Sequence, residues 1–346
     1  MKINLRHNNL DWLRLIFALQ VMITHSFAWL NKEEQANFDV FSWLGYFPGV
    51  PAFFFLSGFL IYASYDKSNK VSVYFKNRFL RIWPGLIFVT LGGLLVVILG
   101  RMFAQDNSGH AGEYFVWIFS QITLGQAWNP SSFRNLGIGV INGALWTITV
   151  EIFFYLSVPV IHLIEKRFKY IVHLLLVLSF IAFGYSEGLL MHVSIGDKSL
   201  YEYLALTPII WGWMFLVGTL VYKNLQHIEK YFKYTTLGFP IIIALVLLDI
   251  PDSILFSASG NRLGVVYFLA ISSSVMFLGF GTAPKKIKFD LSYGIYIWHS
   301  VVINLLIIVG WYSVVNVMLM TLLVASVSWV FIEKPALKMK TFSSRV

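Results

Sequence analysis

The chain has 346 residues, of which 58% are hydrophobic, 12% are charged and none is cysteine. Soluble domains are about 45–50% apolar and about 25% charged, so this composition excludes a water-soluble fold and indicates a single bundle of membrane helices. The absence of cysteine excludes disulfides, thiolate metal sites and a thiol nucleophile, and the net charge of +9 raises the question of where the basic residues lie.

The membrane spans follow from the apolar runs, because a spanning helix needs about 20 mostly apolar residues. The sequence predicts an all-α, polytopic bundle of about ten transmembrane helices, at 10–30, 46–65, 84–100, 143–164, 170–186, 203–222, 236–250, 263–283, 291–309 and 313–332. The seventh is short and contains Gly238 and Pro240, so whether it spans fully is left open. Polar residues interrupt the apolar stretch 113–128, which we interpret as a helix at the membrane interface.

Basic residues predict the orientation, because the cytoplasmic loops of membrane proteins are rich in Lys and Arg. With the N-terminus inside, 20 of the 26 basic residues fall in inner segments, five fall in outer segments and Arg14 lies within a span. Both termini are therefore predicted to be cytoplasmic. The positive charge is explained by topology in a lipid bilayer, so we expect no nucleic-acid partner.

Ionisable side chains mark the first span, where they are costly and are functional candidates. It carries Asp11, Arg14 and His25. Arg14 and His25 are eleven residues apart, so they project from one face of the helix, separated by about 16 Å along its axis. Asp11 precedes Arg14 by three residues, within reach of an ion pair. The alternatives are a structural ion pair where the helix begins and a histidine satisfied in the core.

Other spans carry further polar candidates. Glu151 and His25 are predicted at similar depth, about 12 Å and about 8 Å from the outer ends of their spans, so Glu151 can fix the tautomer of His25. The alternative for Glu151 is a structural hydrogen bond to a neighbouring Trp or Tyr. For His299, in mid-span, packing and function are both open. Ser57 is a candidate buried nucleophile, although close helix approach at Gly58 explains this position better.

A basic cluster of Lys76, Arg78 and Arg81 lies in the inner segment before Pro84. Arg78 and Arg81 are one helical turn apart, and arginine suits bidentate binding of phosphate. The cluster predicts a pocket for a phosphorylated cytosolic donor; ordinary positive-inside charge and lipid headgroup binding are the alternatives. P-loop, dinucleotide-binding and H-E-x-x-H motifs are absent, and we expect no metal site and no tightly bound cofactor.

Four blocks of the sequence resemble the membrane acyltransferase-3 family, which acylates sugars of bacterial surface polysaccharides and related acceptors. They are NNLDWLRLIFALQVMITHS with Arg14 and His25, GVPAFFFLSGFLIY, YFKNRFLRIWPG with Arg78 and Arg81, and ALWTITVEIFFYL with Glu151. SYGIYIWHS, with His299, also fits. The order and spacing of the blocks carry the resemblance, which covers nearly the whole chain.

The resemblance implies a single transmembrane acyltransferase domain over residues 1–346 in the bacterial inner membrane. It implies transfer of an acyl group, usually acetyl, from cytosolic acyl-CoA to a hydroxyl on the periplasmic side, with His25 essential and the arginine pair serving the donor. The implied acceptor is a surface-polysaccharide or lipid-linked sugar, and a lipid, peptidoglycan or small metabolite stays open. Many relatives carry an additional periplasmic hydrolase-like domain, whereas this sequence ends at Val346 and is expected to be the single-module type.

The residues and the resemblance together predict a route for the donor. Coenzyme A would lie at Arg78 and Arg81, with its pantetheine arm along Arg14 toward His25. His25 would act as a general base on the acceptor hydroxyl or briefly carry the acyl group, and Glu151 would orient it. The alternative class is a transporter or flippase that uses buried Arg, His and Glu as a proton or solute relay, although we find no internal repeat of the kind common in transporters.

Overall fold

The computed structural model describes residues 3–5, 7–30, 42–68, 70–105, 110–186, 188–196, 198–248, 250, 252–258 and 260–340. Its helices of ten or more residues are α1 Leu10–Trp29, α2 Gly49–Asp66, α3 Val71–Ala104, α4 Ala111–Ile122, α5 Trp146–Glu165, α6 Ile171–Tyr185, α7 Pro208–Lys223, α8 Gly238–Leu247, α9 Val265–Phe280, α10 Ser292–Ile308 and α11 Val314–Ser328. Shorter helical turns are Ser42–Tyr46, Ser131–Phe133, Leu189–His192, Leu200–Leu204, Leu225–Tyr231, Phe232–Leu237, Trp329–Glu333 and Lys334–Lys338. Within these ranges the strands are Ser194–Ile195 and Lys198–Ser199, which pair antiparallel. The all-α class is therefore confirmed.

Six helical segments of the described chain are long and apolar enough to cross a membrane: Trp43–Asp66, Val71–Ala104, Trp146–Glu165, Leu200–Lys223, Leu225–Leu247 and Val314–Lys338. Helices α6, α9 and α10 are apolar but shorter. Helix α1 has 20 residues and falls outside the six because polar side chains interrupt its apolar character. Every span predicted from the sequence overlaps one of the helices of the structure, and the protein is a multi-pass membrane protein.

For three helices the structure gives bounds that differ from the sequence prediction or that the prediction left open. Helix α3 begins at Val71, so the basic cluster before Pro84 lies on a helix and not in a loop; a membrane helix tolerates a proline where neighbouring groups satisfy the backbone. The seventh span is helical from Leu225 to Leu247, with a 3₁₀ segment in its middle. Helix α4 has 12 residues, about 18 Å of helix, which is too short to cross the bilayer.

The close crossing of α2 and α7 depends on two glycines. A Cβ atom at Gly58 would overlap the backbone carbonyl of Phe215, and one at Gly218 would overlap that of Phe55. Thr219 donates a hydrogen bond of 3.3 Å to the Gly58 carbonyl at the same crossing. Small residues let membrane helices approach this closely, so the structure confirms the close-approach interpretation of Gly58.

The functional candidates lie where α1, α2, α3, α5 and α10 meet. Helix α1 packs against α2, α9, α10 and α11, and α10 also packs against α3. The carboxyl-terminal turn Lys334–Lys338 packs against α3. The predicted cytoplasmic position of the termini involves Lys2, Arg6 and Arg345, which lie outside the described residues.

Candidate active site

A cavity of about 370 Å³ opens among these helices. Its ionisable lining consists of Asp11, Arg14, Arg78, Arg81, Glu151, Asp290 and Lys340, and it is termed the charged cavity. Ser57 also lines it. Lys76, which the sequence placed in the donor site, is exposed and is not among the lining side chains. The three arginines predicted for the donor therefore meet in one cavity, and Lys76 does not join them.

Asp290 links two of these arginines. Its Oδ2 lies 3.1 Å from Nη2 of Arg81 and 3.8 Å from Nη1 of Arg14, and its Oδ1 accepts a 2.5 Å hydrogen bond from the Ser292 hydroxyl. Burial by itself would raise the pKa of Asp290, but attraction to Arg81 and Arg14 outweighs it and holds the pKa well below its usual range. The predicted Asp11–Arg14 ion pair is also present, at 3.9 Å.

Arg78 lies between tyrosine rings on the other side of the cavity. Its guanidinium carbon is 5.9 Å from the ring centroid of Tyr74 and 5.4 Å from that of Tyr155, and Nη2 donates a 3.0 Å hydrogen bond to Ser64. The Tyr155 hydroxyl donates to Glu151 at 2.5 Å. Arg78 makes no ion pair with a described carboxylate, so its charge is available to an anion in the cavity.

The carboxyl-terminal segment supplies two charged groups that the sequence analysis did not consider. The π-helical turn Trp329–Glu333 follows α11 and buries Glu333, which accepts a 2.8 Å hydrogen bond from Ser328. Lys340 follows the last turn and lines the charged cavity. Burial first, then repulsion from Arg81, Arg78 and Arg14, lowers the pKa of Lys340 to about 7. Because Glu333 and Lys340 follow the last predicted span, a search for ionisable residues within spans missed them.

Two histidines pair in the membrane, remote from each other in sequence. Nδ1 of His25 lies 2.9 Å from Nε2 of His299. Nδ1 of His299 lies 3.2 Å from the carbonyl oxygen of Ile295. A carbonyl only accepts, so in the neutral ring Nδ1 of His299 carries the hydrogen and Nε2 accepts. His25 then donates from Nδ1, and its Nε2 carries a free lone pair, a tautomer assigned from the hydrogen-bond network.

The predicted pairing of Glu151 with His25 is not the pairing that the structure shows. Glu151 lines the charged cavity and bonds to Tyr155, whereas the hydrogen-bond partner of His25 is His299. Similar depth did not bring Glu151 and His25 together, because α10 packs directly against α1 and supplies the neighbouring imidazole. Glu151 instead lines the charged cavity together with the arginines.

A second cavity, of about 350 Å³, lies beyond the histidine pair. Its lining consists of Trp29, Ala127, Ile138, Val140, Asn142, Gly143 and Trp146, and it is termed the aromatic cavity. Trp29 stacks on His25 with ring centroids 4.1 Å apart. On the other side of the pair, the His299 ring is 6.0 Å from that of Tyr296, which lines the charged cavity. The histidine pair therefore contacts one lining residue of each cavity, Trp29 and Tyr296.

The partition between the cavities is thin. Trp146 lines the aromatic cavity and the next residue, Thr147, lines the charged cavity. Thr147 donates to the Ala144 carbonyl at 3.0 Å and lies 2.7 Å from the Tyr296 hydroxyl, so Tyr296 is the donor in that contact. This hydrogen bond joins α5 to α10 at the lining of the charged cavity.

Asparagine side chains fix the loop of the aromatic cavity to α10. Asn304 donates to the carbonyls of Val140 and Ile141 at 3.0 and 3.1 Å, and its Oδ1 accepts from the Ile138 N–H at 2.9 Å. Asn142 donates to the Ile297 carbonyl at 2.8 Å. The loop is thus held one turn from His299, a role the sequence analysis did not assign to these residues.

Comparison with known proteins identifies the family. A model described as an acyltransferase domain matches residues 7–333. The chain is 30% identical over 352 residues to nodulation protein 10 of Rhizobium leguminosarum bv. viciae, covering 96% of this chain and 94% of that protein. It is 27% identical over 348 residues to the O-acetyl transferase of Shigella phage Sf6, covering 95% of this chain and 96% of that protein.

A longer relative matches over part of its length. O-acetyltransferase OatA of Staphylococcus aureus (strain NCTC 8325 / PS 47) is 25% identical over 366 residues, covering 95% of this chain and 57% of that protein. No solved structure matches the chain. The relatives support an acyltransferase and do not favour the transporter alternative. With a family match over nearly its whole length, this chain belongs to the acyltransferase-3 family of membrane proteins.

Proposed function

We propose that the protein is a membrane O-acyltransferase that moves an acyl group, in the simplest case acetyl, from acyl-CoA to a hydroxyl of a surface-polysaccharide or lipid-linked sugar. The observation that carries this proposal is the His25–His299 pair, which contacts Trp29 of the aromatic cavity and Tyr296 of the charged cavity. Acyl transfer between a charged donor and a sugar acceptor needs a base between two different binding spaces. Two relatives are named as O-acetyltransferases, which agrees with an acetyl group.

The charged cavity fits the donor. Coenzyme A carries phosphate groups, and arginine guanidinium groups bind phosphate through two parallel hydrogen bonds. Arg78 lines the cavity and forms no ion pair with a described carboxylate. Arg14 and Arg81 both pair with Asp290. The phosphates would therefore lie among these arginines, while the pantetheine arm extends past the walls at Ser57 and Tyr296 toward the histidine pair.

The aromatic cavity fits the acceptor. Trp29 and Trp146 present ring faces, and Asn142 and Gly143 present polar groups beside them. Sugar rings stack on aromatic faces while their hydroxyls make hydrogen bonds, so this lining suits a glycan better than a nucleotide. An acceptor in this cavity reaches His25 beside Trp29.

The tautomer of His25 determines which of its nitrogen atoms can act as the base. Nε2 of His25 removes the proton of the acceptor hydroxyl as that oxygen attacks the thioester carbonyl. The carbon–sulfur bond then breaks, the acceptor keeps the acyl group as an ester, and His25 returns the proton to the departing thiolate. His299 holds the proton of His25 on Nδ1, and Arg14 offsets the negative charge of the donor. Hydroxyl and thioester are consumed, and ester and thiol are formed, with no other reactant.

The proposed setting is the bacterial inner membrane, with ten spans and both termini in the cytoplasm. The distribution of basic residues supports this orientation. It places the charged cavity, near the beginning of α1, on the side where acyl-CoA is made. The aromatic cavity, near the end of α1, then faces the periplasm and its glycans.

Purified full-length protein in detergent micelles, given radiolabelled acetyl-CoA and lipid-linked glycans, tests the proposal. We expect CoA release that depends on the glycan and falls about 10²- to 10⁴-fold in His25→Ala. The matched control His173→Ala, an exposed histidine of α6, should keep full activity. Both variants should retain the melting temperature of the wild type.

Three results would contradict parts of this scheme. An active His25→Ala protein would remove the base from the mechanism. Acetylated His25 detected by mass spectrometry in the absence of acceptor would replace general-base catalysis with a covalent intermediate. Counterflow of solute across vesicles without CoA release would support the transporter alternative instead.

A further inference from the structure

Lys340 lies just after the residues that the family model matches. That match ends at residue 333, and the turn Lys334–Lys338 then packs against α3. Lys340 lines the charged cavity with Arg14, Arg78 and Arg81. A lysine that follows the matched region thus joins the arginines that we assign to the donor.

The carboxylates around this lysine are already engaged. Asp290 pairs with Arg81 and Arg14, Asp11 lies 3.9 Å from Arg14, and Glu151 accepts from Tyr155. Glu333, in the π turn next to the last helical segment, accepts from Ser328.

Among the described residues, none forms a hydrogen bond or an ion pair with the Lys340 ammonium. Lys340 is therefore a partly buried amine near three arginines, and no described carboxylate forms an ion pair with it.

We propose that Lys340 is a donor-binding residue that contacts a phosphate group of acyl-CoA and takes up a proton as the donor binds. This inference rests on the proposed function, and it adds a residue and a pH dependence to the donor site. A phosphate would supply the missing counter-charge. It would also reduce the repulsion that Arg81, Arg78 and Arg14 exert on the charged form of Lys340.

The charge state of the free protein supports the proton uptake. Burial and the three arginines lower the pKa of Lys340 to about 7, and only Asp290 opposes them. A bound phosphate favours the charged amine and raises that pKa again. Donor affinity is then full below neutral pH and falls as the pH rises through 7. For a group of this pKa, the fall from pH 6 to pH 8 is about tenfold.

Binding of coenzyme A to the full-length protein, measured by titration calorimetry from pH 6 to pH 8, tests the inference. Lys340→Met is compared with Lys338→Met, which changes the exposed lysine that ends the preceding short helix and does not line the cavity. At pH 6 we expect Lys340→Met to bind coenzyme A about tenfold more weakly, as for the loss of one charge-assisted contact. At pH 8 the variant and the wild type should converge, and Lys338→Met should follow the wild type throughout.

Two further measurements sharpen the test. Titrations at pH 7 in two buffers of different ionisation enthalpy should show proton uptake by the wild type that Lys340→Met lacks. Pantetheine, which has no phosphate, should bind equally to both proteins.

If Lys340→Met keeps the pH profile and proton uptake of the wild type while both bind coenzyme A, the inference is wrong and the proposed function stands. If the wild type binds no coenzyme A at any pH, the donor assignment of the proposed function fails with it.

Discussion

Nδ1 of His25 lies 2.9 Å from Nε2 of His299, across 274 positions of the chain. The Ile295 carbonyl holds the hydrogen of His299 on Nδ1, at 3.2 Å, so the pair has a direction: His25 donates and His299 accepts. The remaining lone pair of His25 is the one that a general base needs. An imidazole thus takes the orienting role that the sequence analysis gave to Glu151.

His299 should be a positioning residue that controls turnover. His299→Leu removes the acceptor for His25 Nδ1–H, so we expect kcat to fall by about 10- to 100-fold through loss of the required tautomer. The KM for acyl-CoA should stay unchanged. His299→Gln restores an acceptor oxygen and should recover part of the loss, which a purely steric role would not predict. Steady-state kinetics of acetyl transfer by the three proteins decides between these outcomes.

Arg78 and Arg81 should act on donor binding. Arg78→Met and Arg81→Met each remove a guanidinium from the charged cavity, and we expect the KM for acyl-CoA to rise about tenfold or more while kcat changes little. Lys76→Met should leave that KM unchanged, because Lys76 is exposed and lies outside the cavity lining. An altered lipid preference with an unaltered KM would support lipid headgroup binding instead.

Asp290→Asn should destabilise the protein, because it removes the carboxylate charge that lies between the guanidinium groups of Arg14 and Arg81. Breaking such a buried pair costs on the order of 3 kcal/mol, which thermal unfolding in detergent will show as a lower melting temperature. Asp11→Asn is the matched control: the Asp11 side chain is 61% exposed, and an exposed pair contributes about 0–1 kcal/mol. Equal losses in the two variants would contradict the bridging role.

The pH dependence of this difference has a definite sign. The folded-state pKa of Asp290 is lowered, so its stabilisation is complete above the unfolded value of about 3.9 and is lost as the pH falls through the folded value. The gap in melting temperature between wild type and Asp290→Asn should therefore be constant from about pH 8 to pH 5 and narrow below about pH 4. A gap that closes near neutral pH would assign the effect to another group.

Gly58→Ala and Gly218→Ala should each impair folding more than an alanine substitution at a glycine that has open space around it. The added methyl would overlap a backbone carbonyl of the facing helix, and backbone cannot move aside as a flexible side chain can. We expect a loss of folded protein by size-exclusion chromatography in detergent. Gly112→Ala is the control, since a Cβ there meets nothing within 4 Å, and it should behave as the wild type.

Local signals in the sequence were sufficient for part of the site. Arg78 and Arg81 stand one turn apart, and Asp11 and Arg14 form the predicted i, i+3 pair, because helical spacing alone brings such residues together. Asp290, Glu333 and Lys340 lie just outside the predicted spans, where a charged residue is ordinary. Only the packing of the chain against α1 and α3 brings Asp290 and Lys340 to the charged cavity and buries Glu333 nearby.

The sequence by itself determined that the protein is a helical membrane protein with Arg14 and His25 on its first membrane helix, since composition and helical period are properties of the chain read in order. The tertiary structure alone decided the partners. It paired His25 with His299 rather than Glu151, joined Arg14 and Arg81 through Asp290, and placed Lys340 among the arginines. Depth along a helix follows from residue number, but which faces meet depends on how α1, α3, α5 and α10 rotate and pack against one another, and that is a property of the whole fold.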